Sequence, residues 1–480
     1  MTPSFIDFHC HPHMKPYGKS FRLSPVGHNS TDRDAENSIW FRVPADLWRK
    51  GLQMAGIVKF TQTDIGNLAR GNVRIICASL YPIERGFFNN KLGAGGLSDL
   101  ALDFITSVSK QRVDYIQGIT NYFEDLEGEY KYYLQMDGKY VHMDSGPCGY
   151  KLVRNYGEIE SYMEANPDDT RTVFIIMSIE GLHALNIATE DAPDELSFLS
   201  NMRELKNWEY KPFFVTFAHH FFNELCGHAK SLFGMVGSKT DQSKGILTGF
   251  TDLGKKVLRE ALDNTNGKRI YIDIKHMSPQ SRKEYFHILE TEYKNENIPV
   301  IVSHGAVNGL KSMDDPTPGN DHLSSICLTE GINFYDNEIL MVAKTQGIFA
   351  LQTDERRLAC EAYIKDIKHS LFLNKIRHYR AALLWNNIQY IAELLDKNGL
   401  PAWDHIGIGS DFDGIIDPLN GFLTSAAMPD LQQYVERYAF TYMNDRGKKI
   451  LRPENCITPS DIVNKIFSEN GTAFLKRWFV

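Results

Sequence analysis

Two histidines one residue apart, His9 and His11, follow the short apolar run SFIDF (4–8), and residues i and i+2 of an extended strand share a face. Two imidazoles can thereby converge on one cation, which a helix would not allow at that spacing. Imidazoles and carboxylates also follow other apolar runs: Glu180 after TVFIIMS (172–178), His219 and His220 after FFVTF (213–217), and His276 after RIYIDI (269–274). His304 follows PVIVS (299–303), and Asp411 follows HIGIGS (405–410). Taken singly, a histidine after a strand is more often a hydrogen-bonded loop residue, and an acidic residue there a cap or turn former. The joint placement argues otherwise, because surface histidines have no reason to select strand ends. Imidazole and carboxylate donors without thiolate suit Zn²⁺ first, with Mn²⁺, Fe²⁺, Co²⁺ and Ni²⁺ open. One cation would be crowded by this many donors. Two divalent cations sharing Glu180 would use His9, His11, His276 and His304 fully; such pairs sit about 3.5–4 Å apart and hold a bridging hydroxide as nucleophile. Strand alternation turns Cys10 away from the pair.

The elements that must position these groups recur along the chain. VRIICASL (73–80) and GIFALQ (347–352) bring the apolar runs to eight. Continuous runs of this length suit strands buried on both faces, as in parallel sheets. Helical patterns lie between several of them. Leu253, Val257, Leu258 and Leu262 line one face, with Thr251 or Thr248 as cap, and 278–296 repeats the pattern behind Ser278. HYRAALLWNNIQYIAELLDKNG (378–399) reads as a helix ended by Gly399 and Pro401. Alternating strands and helices predict an α/β fold, and eight strands predict a (β/α)₈ barrel of the TIM type, whose strand C-termini open onto one mouth. Residues 81–171 and 353–404 are expected as excursions over that mouth. A single domain, 1–480, is expected, with 430–480 as a helical tail packed on the barrel.

Composition narrows the class. At 480 residues and 42% apolar content the chain can bury a large core. A net charge of −8 offers no basic field for nucleic acid. No apolar run approaches the ~20 residues that span a bilayer. Seven dispersed cysteines without Cys-x-x-Cys pairs suit reduced thiols, and the N-terminus does not read as a signal peptide, so a cytoplasmic location is expected. The expected partner is a small-molecule substrate, without nucleic acid or membrane, in a chain that could form a homodimer.

Several stretches together resemble the membrane (renal) dipeptidase family of the amidohydrolase superfamily: SIEGLH, FFVTFAHHFFNEL, GILTGFTDLGKKVLREAL, YIDIKHMS, PVIVSHGA, HIGIGSDFDG, and a tail from PDL (429–431) to SENGTAFLKRWF. The likeness covers the last half of the chain, whereas the first 170 residues match only at the first strand. The resemblance implies that His9 and His11 bind one metal, His276 and His304 the other, and Glu180 both. It implies Asp411 as the proton acceptor, His219 as the donor to the scissile carbonyl oxygen, and Asn223 as a substrate-binding residue.

Two departures stand out. The chain has His-x-His where the family has His-x-Asp. Ile332, in INFYD, stands where the family keeps an arginine that grips the substrate carboxylate, so ordinary dipeptides are expected to be poor substrates unless Arg356 and Arg357 supply the grip. The resulting expectation is a metal-dependent hydrolase that cleaves a dipeptide-like or related acyl amide bond. The alternatives are a metal-dependent phosphoesterase, which would want more basic residues, and a non-catalytic metal-binding relative, for which Asp411 would be superfluous. A carbamylated-lysine bridge is disfavoured because the fourth strand ends FAHH.

Overall fold

In a computed structural model, which describes residues 4–46, 49, 60–88, 108–144, 146–187, 194–232, 240–367 and 370–480, every one of the eight apolar runs forms a strand. They are β1 (Phe5–Cys10), β2 (Val73–Leu80), β5 (Thr172–Glu180), β6 (Phe214–Thr216), β7 (Tyr271–Asp273), β8 (Ile301–Gly305), β9 (Ile348–Leu351) and β10 (Ile406–Ile408). All pair in parallel in the order β1-β2-β5-β6-β7-β8-β9-β10. Past the end of β10 the ring is completed by the Asp411 amide donating to the His9 carbonyl (2.8 Å) and the His11 amide to the Phe412 carbonyl (2.9 Å). The fold is a nearly closed eight-stranded barrel with helices between strands.

The barrel's interior is apolar at the end away from the mouth. Ile6, Phe8, Ile75, Cys77, Phe174, Ile176, Phe214, Ile301, Ile348 and Ala350 form one cluster, closed by Phe474, Leu475 and Phe479 of the C-terminal tail. The tail is helical over Met428–Met443, Pro459–Asn464 and Asn470–Trp478. A larger apolar cluster includes residues of the surrounding helices, among them Val257, Leu258 and Leu262 of the helix Asp252–Leu262. Thr251, not Thr248, caps that helix, accepting from the Gly254 amide at 2.9 Å. Ser278 caps Pro279–Glu292, accepting from the Ser281 amide at 3.0 Å. The long helix runs Leu373–Lys397, and Gly399 takes the left-handed φ of 75° that favours glycine just past a helix end.

The segment after β2 departs from expectation. A hairpin of β3 (Tyr140–Met143) and β4 (Gly146–Leu152) extends the sheet, with β4 parallel to the first residues of β5, Gly149 opposite Thr172. These strands lie at the floor of the barrel, not across its mouth. The reason is edge pairing: β6 is short and pairs only with Ser178–Glu180, leaving the start of β5 for β4 to cover.

Candidate metal and active site

Glu180 is the last residue of β5, and both oxygens of its carboxylate are surrounded by imidazole nitrogens. Oε2 lies 3.2 Å from His11 Nε2; Oε1 lies 3.4 Å from His9 Nε2, 3.4 Å from His276 Nε2 and 3.5 Å from His304 Nε2. The structure thus brings His9, His11, Glu180, His276 and His304 together. They fall into two groups of potential ligands, His9–His11–Glu180 and Glu180–His276–His304, with Glu180 in common. Within each group the imidazoles face one another, His9 and His11 Nε2 3.1 Å apart and His276 and His304 Nε2 3.3 Å apart. Two nitrogens bound to one tetrahedral Zn²⁺ at about 2.0–2.1 Å would be about 3.3 Å apart, so the donor sets fit a divalent cation in each group.

The surrounding hydrogen bonds orient the rings. His11 Nδ1 lies 2.9 Å from the Ser79 carbonyl, which can only accept, so Nδ1 carries a proton and Nε2 is the atom turned toward Glu180. Ser303 Oγ lies 3.3 Å from His9 Nδ1 and 2.9 Å from His304 Nδ1, and donates to Asp273 Oδ2 at 2.6 Å. One buried serine thereby ties a histidine of each group to one carboxylate. Burial lowers the pKa of His9, His276 and His304, keeping them in the neutral form that ligates. Burial opposes ionisation of Glu180, but the electrostatic pull and hydrogen bonds of the surrounding imidazoles outweigh it and hold its carboxyl well below the usual range.

Local sequence explains how β5 and β10 deliver their acids. Gly181 has a φ of 89°, and a Cβ there would sit 2.5 Å from His183 Nδ1, so the turn after Glu180 requires glycine. Asp411 has a left-handed φ of 62° and His276 one of 64°, both uncommon outside glycine. In SDFDG, Gly414 leaves room for Asp411, since a Cβ there would collide with Asp411 Oδ1. Asp413 turns the other way, accepting from the Gln62 and Thr63 amides and pairing with Lys15 at 2.6 Å. Asp411 itself is set back from the centre. Its Oδ1 is 3.7 Å from both His9 and His11 Nε2, its Oδ2 is 4.0 Å from His304 Nε2, and its side chain is 13% exposed. Burial and the nearby Glu180 push its carboxyl well above the usual range.

The pocket above the centre is lined by Glu180, His219, His276, His304, Arg356, Arg357 and Asp411 among the expected residues. His219 Nδ1 is 2.7 Å from Glu84 Oε2, and its Nε2 is 3.5 Å from Glu180 Oε1. Burial works against the Glu84 charge, but His219 and His183 outweigh it and keep its pKa low. Arg356 is held by Asp354, Nε to Oδ1 at 2.9 Å and Nη2 to Oδ2 at 2.6 Å, and Arg357 Nη2 donates to the Ser231 carbonyl. Asn223 is not among the lining residues: its amide donates to the Phe217 carbonyl at 2.7 Å, and its Oδ1 accepts from the Leu225 amide, so it builds the turn after β6. Ile332 is fully buried.

Three residues at or beside the pocket have no role assigned in the sequence reading. His220 sits beside His219 and His276 as a further potential ligand group, with Nδ1 2.6 Å from Ser231 Oγ. Glu84 lies in the loop after β2, and only folding brings it to His219. Lys275 precedes His276 and lines the pocket; burial, reinforced by Arg357, lowers its amine to about 7 against the opposing pull of Asp411, Asp273 and Glu180. No helix of the described residues is long and apolar enough to cross a membrane.

Dipeptidase ataJ of Aspergillus terreus (strain NIH 2624 / FGSC A1156) is 23% identical over 373 residues, covering 73% of this chain and 75% of that protein. A metallo peptidase from Rhodobacter sphaeroides, solved with a phosphinate mimic of the dipeptide L-Ala-D-Ala, shares the fold with a TM-score of 0.53 at 14% identity, covering 100% of both chains. The model of the membrane dipeptidase family, peptidase family M19, matches residues 42–452. That match takes in the 81–171 segment, which sequence reading had left outside the resemblance, and begins after β1. The barrel nevertheless seats β1 beside β2 and sets His9 and His11 against Glu180. This chain belongs to the membrane dipeptidase family and is a dipeptidase-like, metal-dependent hydrolase.

Proposed function

We propose that the chain hydrolyses the amide bond of a dipeptide-like substrate at a centre of two divalent cations, Zn²⁺ by donor type, held by His9, His11, Glu180, His276 and His304. The observation that carries this reading is the single carboxylate, Glu180, shared by two facing pairs of imidazoles. Bound there, the cations would activate a water as nucleophile and polarise the scissile carbonyl.

The chain's own residues supply the rest. Asp411 is set back from the ligand atoms, within reach of a water at the centre, and has the role of general base. It takes the proton of the attacking water and returns it to the amine nitrogen as the C–N bond breaks, so that one water and one amide yield a carboxylate and an amine. His219, held through Nδ1 by Glu84, has the role of donating to the carbonyl oxygen as charge builds there. Burial of the pocket strengthens both interactions by excluding water. A phosphoesterase is the weaker reading, since the family to which the chain belongs is one of dipeptidases.

The test is hydrolysis of L-Ala-D-Ala followed by amine release, with protein stripped by chelator and then reloaded with Zn²⁺ or Mn²⁺. Activity lost on stripping and regained on reloading supports the reading. Loaded protein that cleaves phosphate monoesters but no dipeptide or acyl amino acid defeats it.

A further inference from the structure

A substrate with a free carboxylate needs a cationic partner once water is excluded, and Ile332 offers none. Arg356 is already held by both oxygens of Asp354, and Arg357 donates to the Ser231 carbonyl. Lys275 has neither kind of tie. It is 1% exposed, it lines the pocket over the two histidine pairs, and its buried Nζ has no hydrogen-bond partner among the described residues. A buried ammonium with three donors and no acceptor is costly in a folded protein unless a ligand supplies the acceptor.

The charge of the pocket points the same way. Among the described residues its lining carries three carboxylates, Glu180, Asp354 and Asp411, against three cationic side chains, Lys275, Arg356 and Arg357. Every divalent cation taken up at Glu180 therefore leaves excess positive charge that the lining cannot offset. A ligand bearing negative charge restores the balance.

We infer that Lys275 is the residue that binds the substrate's carboxylate, doing the work that Ile332 cannot, so that the site selects dipeptides or N-acyl amino acids with a free terminal carboxylate. The inference rests on the hydrolase reading above. Lys275 is placed for this by β7: its backbone amide donates to Asp273 Oδ1 at 3.1 Å, the same carboxylate that anchors Ser303 beneath His9 and His304. Anchor and metal ligands thus share one rigid support. An ammonium binds a carboxylate as a compact point charge, without the fixed fork of a guanidinium, so it tolerates more variation in where the carboxylate lies.

The experiment uses metal-loaded wild type, Lys275→Met and Lys275→Arg, each checked for metal content and circular dichroism. The probes are the phosphinate mimic of L-Ala-D-Ala and the same mimic with its carboxylate replaced by a primary amide, titrated calorimetrically. Hydrolysis of L-Ala-D-Ala and its C-terminal amide is measured in parallel. Wild type should prefer the carboxylate mimic by tenfold or more; Lys275→Met should lose that preference with little change toward the amide, and Lys275→Arg should recover part of it. The loss in turnover should fall on KM more than on kcat. If wild type shows no preference, including no binding of either mimic, or if Lys275→Met retains it, the assignment is overturned. A lysine-dependent preference in a protein that hydrolyses neither peptide sustains the assignment and defeats the hydrolase reading.

Discussion

Replacing Asp411 by Asn separates a proton acceptor from a metal ligand. The carboxylate oxygens of Glu180 approach the histidine Nε2 atoms to 3.2–3.5 Å, whereas those of Asp411 stay at 3.7–4.0 Å. Asn has nearly the same shape and keeps one acceptor oxygen. It also tolerates the left-handed backbone at this position, where φ is 62°, better than most residues. The variant should therefore fold and hold its metals, and lose only the basicity of the side chain. A positioned general base contributes about two to four orders of magnitude in rate. At about 1.4 kcal/mol per tenfold, that is about 3–5 kcal/mol of transition-state stabilisation. The assay is kcat for L-Ala-D-Ala on protein whose metal content is determined in the same sample. A variant that keeps both cations and loses turnover by that factor fits the reasoning. One that remains active, or whose metal content drops, refutes it, the latter making Asp411 a ligand.

Removing the shared carboxylate in Glu180→Ala should lower occupancy at both cation positions, as elemental analysis would show; loss of only one cation would deny the bridge. Ser303→Ala cuts the link from Asp273 to His9 and His304 and should weaken metal affinity by about 10–100-fold in a competitive chelator titration, while an unchanged affinity would show that the rings are held without it. Phe474 closes the floor of the barrel against Phe8, ring centroids 5.8 Å apart, and Phe474→Ala should cost about 3–5 kcal/mol in denaturant unfolding. A cost below about 1 kcal/mol would show that the tail is not part of the core it covers.

The barrel and the residues meeting at Glu180 were legible in the sequence because parallel strands buried on both faces are continuous apolar runs, and polar residues at their ends stand out against them. Thus β5 ends in Glu180 and β8 carries His304 next to its end. The hairpin β3–β4 was not legible as strands, since YVHM and GPCGYKL are short, carry Gly and Pro, and are stabilised by pairing with a partner distant in sequence. Glu84 was hidden for a similar reason: a loop acid acquires meaning only when folding sets it 2.7 Å from His219. Lys275 went unremarked because a lysine is ordinarily a solvated surface charge, and nothing local reveals that its neighbours bury it. Asn223 takes a place that the motif did not reveal. It stands in a motif after β6, and its amide satisfies backbone groups of the turn there.

The claim beneath these predictions is that one carboxylate joins two cation positions, and diffraction from crystals grown with Zn²⁺, recorded on both sides of the zinc absorption edge, tests it most directly. The account predicts two anomalous peaks per chain, one within bonding distance of His9, His11 and Glu180, the other of His276, His304 and Glu180. A single peak, or a peak centred instead on His219, His220 and His276, would contradict it.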